Sequence, residues 1–374
     1  MATSSELLSG RLPCVQLPQD SAEAVREEVG RRAAELGELL DAHGGFLVTA
    51  PALKSATDFH CALEYLVDIA TEYPGGAPRD KILEGVFSST RFAEHLPIPA
   101  HTELSYMPRA RPELIAFFCE RAPRFGGMTP LVDMAEVLRR LPADLVARFA
   151  PGLKTSLNMP PDRDAYLCVR YGTVRQHPRV WTDFGQSRAE AAENFCAGSR
   201  DEVVVEWTKD WMQPYIAMPA VGTHMGMQVW TGFFPLYHWA GPAIQTVFDL
   251  LWHHRTLGQL RSSLWVLGIT AWHVLANRLS SLPGLAGLLR MSANPGALSC
   301  KLQNGQDVSF WDCLRILWTY NTQLIKWRWQ PGQFVLLDNH RLGHMRTPYP
   351  AGEPRRILTA FGSRKAALNG LTNS

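Results

Sequence analysis

Apolar residues recur at helical spacing from residue 21 to 43, at Val25, Val29, Ala33, Leu36, Leu39 and Leu40, with Ser21 placed to cap the run. The pattern predicts one helix, closed by His43-Gly44-Gly45, and then a short strand from Phe46. A second helix is expected over residues 55 to 72, followed by a polar, Pro/Gly-marked loop from Tyr73 to Pro78. Glu113-Leu-Ile-Ala-Phe-Phe-Cys119 is a continuous apolar run of strand length and reads as a buried strand. Leu131-Val-Asp predicts another strand after a turn at Gly126–Pro130. Met134, Val137, Leu138, Leu141, Leu145 and Phe149 predict a helix over 133 to 150. From about 155 to 235, short β-like pieces alternate with turns around a helix at Arg188 to Ala197. The chain closes with a helix over 309 to 325, a turn at Pro331-Gly332, and strands at 334 to 338 and 356 to 361.

Residues 239 to 298 differ from the rest. Trp252, Trp265, Trp272 and many leucines are punctuated by His253, His254, Arg255, Arg261, His273 and Arg278. The purest piece, Ser263 to Ala276, is too short to span a bilayer. A pair of buried or half-buried helices is therefore expected in preference to a membrane-contacting surface. With no internal repeats and no low-complexity linker, residues 1–374 read as one domain with a Trp/Leu-rich helical insertion at about 240–298. Many short strands with helices between them predict a mainly β fold with peripheral helices (α+β), a sandwich or barrel decorated by helices.

Composition narrows the function. At 374 residues, 46% hydrophobic and 19% charged, the chain can bury a sizeable core. A formal charge of +2 and scattered Lys and Arg point neither to nucleic acid nor to an acidic membrane surface. Seven cysteines (14, 61, 119, 168, 196, 300 and 313) with no Cys-x-x-Cys pair read as reduced, mostly buried thiols of a cytoplasmic protein. The start, Met-Ala-Thr-Ser-Ser-Glu, lacks the basic and apolar regions of a signal peptide, and no transmembrane segment is expected.

The candidate chemistry centres on His101-Thr102-Glu103. On extended backbone, residues two apart point the same way, so this pair would supply two ligands of a facial metal site. His344 is the best third ligand, and two histidines with one carboxylate form the facial triad of non-haem Fe(II) oxygenases. In a jelly roll, one strand presents two ligands at a rim and a late strand returns the third beside them. His340 and His344 could instead share a helix as a zinc pair, but the apolar run at 334 to 337 is strand-like. A guanidinium suits the distal carboxylate of 2-oxoglutarate, and Arg355 and Arg356 follow His344 closely. Only one of these neighbours can face inward on a strand. Thr129 could add a hydroxyl.

Taken together, these motifs resemble the TauD/TfdA dioxygenases, which depend on Fe(II) and 2-oxoglutarate, and more closely the SyrP-like branch found in natural-product pathways. The matching stretches are His43-Gly-Gly-Phe46, His101-Thr-Glu103 with Ser105-Tyr106, Gly126-Gly-Met-Thr129-Pro-Leu131, Pro219 to His224 with Gln228-Val-Trp230, Trp329-Gln-Pro-Gly332, Leu336 to Asn339, His344 to Tyr349, and Arg355-Arg356. The resemblance covers about residues 30 to 362 and implies a double-stranded β-helix. It implies that His101, Glu103 and His344 hold iron, that Thr129 and Arg355 or Arg356 hold 2-oxoglutarate, and that Arg346 lies near co-substrate or substrate. O2 would be the oxidant. Because Glu103 is present where related halogenases carry a small residue, hydroxylation or desaturation is expected. The implied substrate is a small molecule, a natural-product intermediate or an amino acid, free or carrier-bound. Met345 and Gln333 depart from the family's usual Gly and Asp, and the insertion reads as a lid or a homo-oligomer contact. The rival readings are a non-catalytic jelly-roll binding protein and a zinc hydrolase using the same three residues.

Overall fold

The amphipathic stretch that begins at Ser21 folds as two helices, not one. They are seen in a computed structural model that describes residues 6–8, 10–75, 79–90, 92–163, 179–231, 238, 240–252, 257–280 and 298–369. After strands β1 (Glu6–Leu8) and β2 (Leu12–Gln16), helix α1 (Ala22–Arg31) is capped by the Ser21 hydroxyl, which accepts from the Ala24 N–H. Arg32 leaves the helical region and α2 (Ala33–His43) follows. The break turns Val25 and Val29 of one helix and Leu36 and Leu40 of the next into the same core. Gly44, at φ 74°, closes α2 in the left-handed conformation, where glycine carries no Cβ penalty.

Strand β3 (Gly45–Thr49) comes next, and then the helix expected over 55 to 72 stops early. Helix α3 (Ala56–Leu63), fixed by a Ser55–Asp58 capping box, gives way to β4 (Val67–Ile69). That strand pairs with the last strand of the chain, so long-range pairing overrides local helical preference. Strands β5 (Lys81–Leu83), β6 (Val86–Ser88), β7 (Ile98–His101), β8 (Leu114–Arg121) and β9 (Leu131–Asp133) follow. The helix expected over 133 to 150 is also two, α4 (Met134–Arg140) and α5 (Ala143–Phe149). Pro142 divides them: the residue before a proline is driven out of the helical region, and Leu141 sits at ψ 139°.

Beyond β10 (Leu153–Leu157) lie α6 (Arg188–Gly198), the strands β11 (Val203–Thr208) and β12 (Trp211–Met218), and the hairpin β13 (Val221–His224) and β14 (Met227–Trp230). The Trp-rich segment forms α7 (Gly241–Trp252) and α8 (Leu257–Ser280). Then come β15 (Leu298–Leu302), α9 (Phe310–Asn321), β16 (Gln333–Asp338), β17 (Leu342–Arg346) and β18 (Arg356–Arg364). Helix α9 ends four residues short of the expected 325. His253, His254, Arg255 and Cys168 lie outside the described residues, as do 281–297.

A nine-stranded sheet runs β1-β2-β3-β16-β8-β18-β6-β5, with β4 also on β18, and a three-stranded sheet runs β7-β17-β9. Side-chain alternation shows how they stack. Leu114, Ala116, Phe118, Phe334, Leu336, Leu358 and Ala360 point to the helices α1 to α3. Ile115, Phe117, Cys119, Val335, Leu337, Ile357 and Phe361 point the other way, onto Leu131 and Leu342 of the smaller sheet. Both faces of β8 and β16 are thus covered, which is why they read as unbroken apolar runs. The result is a mainly β jelly roll with peripheral helices, as expected. A second core gathers α4, α5, α7, α9 and the β13–β14 hairpin around Phe149 and Trp230, whose rings lie 5.5 Å apart.

The described cysteines form no disulfide. Cys119, Cys300 and Cys313 are buried, Cys14 and Cys61 half-buried, and Cys196 exposed on α6, against the expectation of mostly buried thiols. No described helix is long and apolar enough to cross a membrane.

Candidate metal centre

His101 ends β7, and His344 of β17 is its direct cross-strand partner. Close approach of these strands suits Gly343, where a Cβ would fall 2.2 Å from the Met134 side chain and 3.3 Å from the His101 carbonyl. Glu103 is not on the strand. The chain turns after His101, with Leu104 at φ 54°, so strand alternation does not aim the carboxylate as expected. Asn339 does so instead. Its Oδ1 accepts from the Glu103 N–H at 2.7 Å, and its Nδ2 donates to the carbonyls of Glu103 and Pro112, each at 2.9 Å.

The three side chains converge. Glu103 Oε2 lies 4.0 Å from His101 Nε2 and 3.7 Å from His344 Nε2, the two rings are 4.4 Å apart, and all three ligand atoms fall within 4.8 Å of one another. Adjacent ligands of an octahedral ion with bonds of about 2.1 Å stand roughly 3 Å apart, so closing on an ion takes shifts of about 1 Å or less. His101 Nδ1 donates to the Pro99 carbonyl at 2.9 Å, which in that tautomer leaves the Nε2 lone pair facing the cluster. The Phe117 ring packs 4.8 Å from that of His344.

The protonation states suit a metal. Burial, joined by the neighbouring His344, pushes His101 down to about 3, so its imidazole is neutral. Burial alone would raise the Glu103 carboxyl, but the Arg79 guanidinium and the two imidazoles more than offset it and hold the group ionised. A neutral imidazole and an ionised carboxylate are the deprotonated forms that ligation requires, so this donor set fits a divalent ion. Arg79 donates to Glu103 Oε2 at 2.9 Å, and the Tyr73 hydroxyl donates to Oε1 at 2.7 Å. The Arg79 guanidinium is itself flanked by the Tyr73 and Phe361 rings at 4.8 and 5.0 Å. Among the described residues one other group has metal-ligand types at short range, His60, Cys61 and Glu64. It lies half-buried at the end of α3, and Arg26 already stands against Glu64, an unfavourable neighbour for a cation.

The remaining candidates divide. Thr129 is buried, and its Oγ1 accepts from the Trp329 indole N–H at 2.9 Å, which leaves its own hydroxyl proton to donate. Arg355 turns inward, with Nε donating to the Gly127 carbonyl at 2.9 Å and Nη1 to Ser89 Oγ at 3.2 Å. Arg356 turns outward, half exposed, and pairs with Glu120 at 2.5 Å. Arg346 is buried and donates to the carbonyls of Phe92, Ala93 and Leu96 at 3.1, 2.6 and 3.0 Å. The Tyr349 ring lies 5.5 Å from the Arg346 guanidinium and 5.4 Å from that of Arg355. Burial pushes both arginines down, Arg346 to about 10, and the charge of Arg355 adds to the effect on Arg346. Neither has a carboxylate within ion-pair distance among the described residues. Glu94 acts on Arg346 only from beyond ion-pair distance, so the two inward guanidiniums stand together with no paired acid, an arrangement that suits an anion.

Sequence reasoning missed Tyr73 and Arg79, which hold Glu103 from across the barrel, and the clamp made by Asn339. It named Trp329 only as part of a motif, not as the partner of Thr129.

A clavaminate synthase-like protein of Arabidopsis thaliana is 29% identical to the chain over 128 residues, 34% of this chain and 38% of that one, so the match spans little more than a third of the relative's length. Among solved structures, PvcB from Pseudomonas aeruginosa is 14% identical with a TM-score of 0.45, covering 89% of this chain and 81% of its own. An asparagine oxygenase in complex with Fe(II), hydroxyasparagine and succinate is 11% identical with a TM-score of 0.45, covering 93% of each chain. The profile of one family matches residues 20–244 and 297–361. With most of its length matched in this way, the chain belongs to the taurine catabolism dioxygenase TauD, TfdA family.

Proposed function

We propose that the protein is an Fe(II)- and 2-oxoglutarate-dependent oxygenase that hydroxylates or desaturates an unactivated C–H bond of a small molecule. The observation that carries this reading is a pairing: the convergence of His101, Glu103 and His344, and beside their strands two inward arginines with no acid at ion-pair distance. In this reading His101, Glu103 and His344 hold the iron. Arg355 and the Thr129 hydroxyl take the distal carboxylate of 2-oxoglutarate, where two charge-assisted bonds from a guanidinium fix its direction. Arg346 adds positive potential there while its own donors tie down residues 92–96. When iron and 2-oxoglutarate are bound, the chemistry supplied is oxidative decarboxylation of the co-substrate coupled to oxidation of the substrate.

The chain's own contribution is geometry and exclusion of water. Asn339 fixes the Glu103 backbone, while Tyr73 and Arg79 hold its carboxylate. Phe117 and Phe361 line the interior with apolar surface. The family profile together with the donor set favours iron over a zinc hydrolase, and the profile favours an enzyme over a bare binding barrel. The resemblance of the motifs to the SyrP-like branch supports, as substrate, a carrier-bound or free amino acid or a natural-product intermediate. One domain spans residues 1–374 in this reading, with the break in the family profile at 245–296 falling on an added helical segment.

Anaerobic reconstitution tests it. Fe(II) should bind one per chain, 2-oxoglutarate should then give a visible charge-transfer band, and O2 should release succinate. His344→Ala should lose the band and bind iron at least about 100-fold more weakly, since even residues supporting a ligand are worth 10–100-fold. Absence of both band and succinate from the parent protein would overturn the reading, as would unchanged iron binding in His344→Ala.

A further inference from the structure

Helix α8 is apolar on two sides. One side is covered: Val266 packs with Ala93 and Leu96, and Trp265 meets the His95 ring edge-on at 5.6 Å. The other side is bare. Leu260, Leu264, Trp272 and Leu275 recur three, four and eight residues apart along one flank of the helix, and Leu264 and Trp272 are 58% and 51% exposed. Helix α7 packs beside α8 and exposes Val247 and Leu251, the latter at 70%. Helix α9 packs on α7, its Trp318 ring 6.0 Å from Phe248, and exposes Trp311 and Trp318 seven residues apart. Bare apolar residues gathered on three helices that pack on one another mark a surface that something else covers.

Charge identifies what. From Leu250 to Gln306 the sequence holds no Asp or Glu, while it holds Arg255, Arg261, Arg278 and Arg290; Lys301, on β15, is already paired with Glu206 at 3.3 Å. Arg261 is exposed within the bare flank of α8. The one acid of α7, Asp249, is fully buried, within hydrogen-bond reach of Gln245 and next to the Gln245–Asn321 pair. Apolar helix faces edged with tryptophan and arginine, with acid absent, match a helix that lies in the plane of a lipid interface. A second copy of the chain would set like charge against like. None of the described helices is long and apolar enough to cross a bilayer, so the contact is with one leaflet.

Against the expectation drawn from net charge and from the sequence of this segment, we propose that the bare face of α7 and α8 seats the protein on an anionic lipid surface. Trp272 and the leucines of α8 enter the headgroup region, and Arg261 meets lipid phosphate. The docking does not depend on the oxygenase reading, and the two fail separately.

The test is flotation of the full chain with vesicles of phosphatidylcholine, with and without phosphatidylglycerol, at low and at raised salt. Binding to the anionic vesicles is expected, at least about 10-fold tighter than to phosphatidylcholine and weakened by salt. Leu264→Asp with Trp272→Asp should weaken it at least about 10-fold. Arg261→Glu, a surface change that leaves the helix intact, should remove the preference for anionic lipid while the thermal midpoint stays unchanged. No vesicle binding by the parent protein, or binding indifferent to all three changes, would overturn the proposal. A dimer that Leu264→Asp dissociates, or capture of an acidic carrier domain blocked by the same change, would do so too if vesicles are not bound.

Discussion

Asn339 does for Glu103 what an extended strand would have done. It is fully buried, its amide serves two carbonyls and one N–H, and its own carbonyl accepts from Arg111 at 2.7 Å. Asn339→Ala strands three buried backbone groups, each worth about 1–3 kcal/mol. A loss of about 3 kcal/mol or more in denaturant unfolding is expected, with weaker metal retention; a variant within about 0.5 kcal/mol of the parent, the range of a neutral surface change, would refute the clamp. The adjacent arginines give a sharper contrast. Arg355→Ala should raise the 2-oxoglutarate requirement by about 10- to 100-fold, the worth of a lost charge-assisted bond. Arg356→Ala, which removes an exposed pair with Glu120, should leave it within about 2-fold. Titrating the visible band with 2-oxoglutarate measures both. In the sequence the two arginines are indistinguishable, because what separates them is the start of β18 and the position of Glu120 on β8. Tyr73 and Arg79 gave no signal at all, since each meets Glu103 only after the barrel closes.

At the scale of elements, the sequence was most legible where one local force decides. The unbroken apolar runs of β8 and β16 gave buried strands, and Ser21, Gly44 and Pro142 carried readable start, stop and break signals. The break at Pro142 is written in the sequence as well, since a proline drives the residue before it out of the helix. The end of α3 is not, because β4 exists only by pairing with β18. The β13–β14 hairpin is held by another such long-range contact. His224 Nε2 lies 2.6 Å from Asp338 Oδ2, and the His224 ring stacks on His340 at 4.8 Å and 17°. Burial, then Arg111 and His224, pushes His340 down from 6.5 to about 4. The folded state therefore keeps this ring neutral while the unfolded chain takes up a proton near 6.5. Its contribution is whole above that pH and is lost as pH falls toward 4. The thermal midpoint should drop across that window, and His340→Gln should flatten the drop; an equally steep profile in the variant would exclude His340 as a cause.

For the whole molecule, the triad and the jelly roll could be read from spacing and pattern because a metal site imposes residue types and a two-layer sheet imposes alternation. The Trp-rich segment was read as helical, and two helices are there. What no pattern in it revealed is which flank meets the barrel, since both flanks of α8 are apolar. The covered flank rests on residues 93–96, which Arg346 straps to β17, and that segment runs straight into His101. The strap gives the outer helix and the inner cluster a shared mechanical element. Wherever occupancy of one alters the strap, equilibrium linkage makes the effect mutual: an about tenfold gain in affinity inside, on engaging the outside, requires the same gain outside on filling the inside.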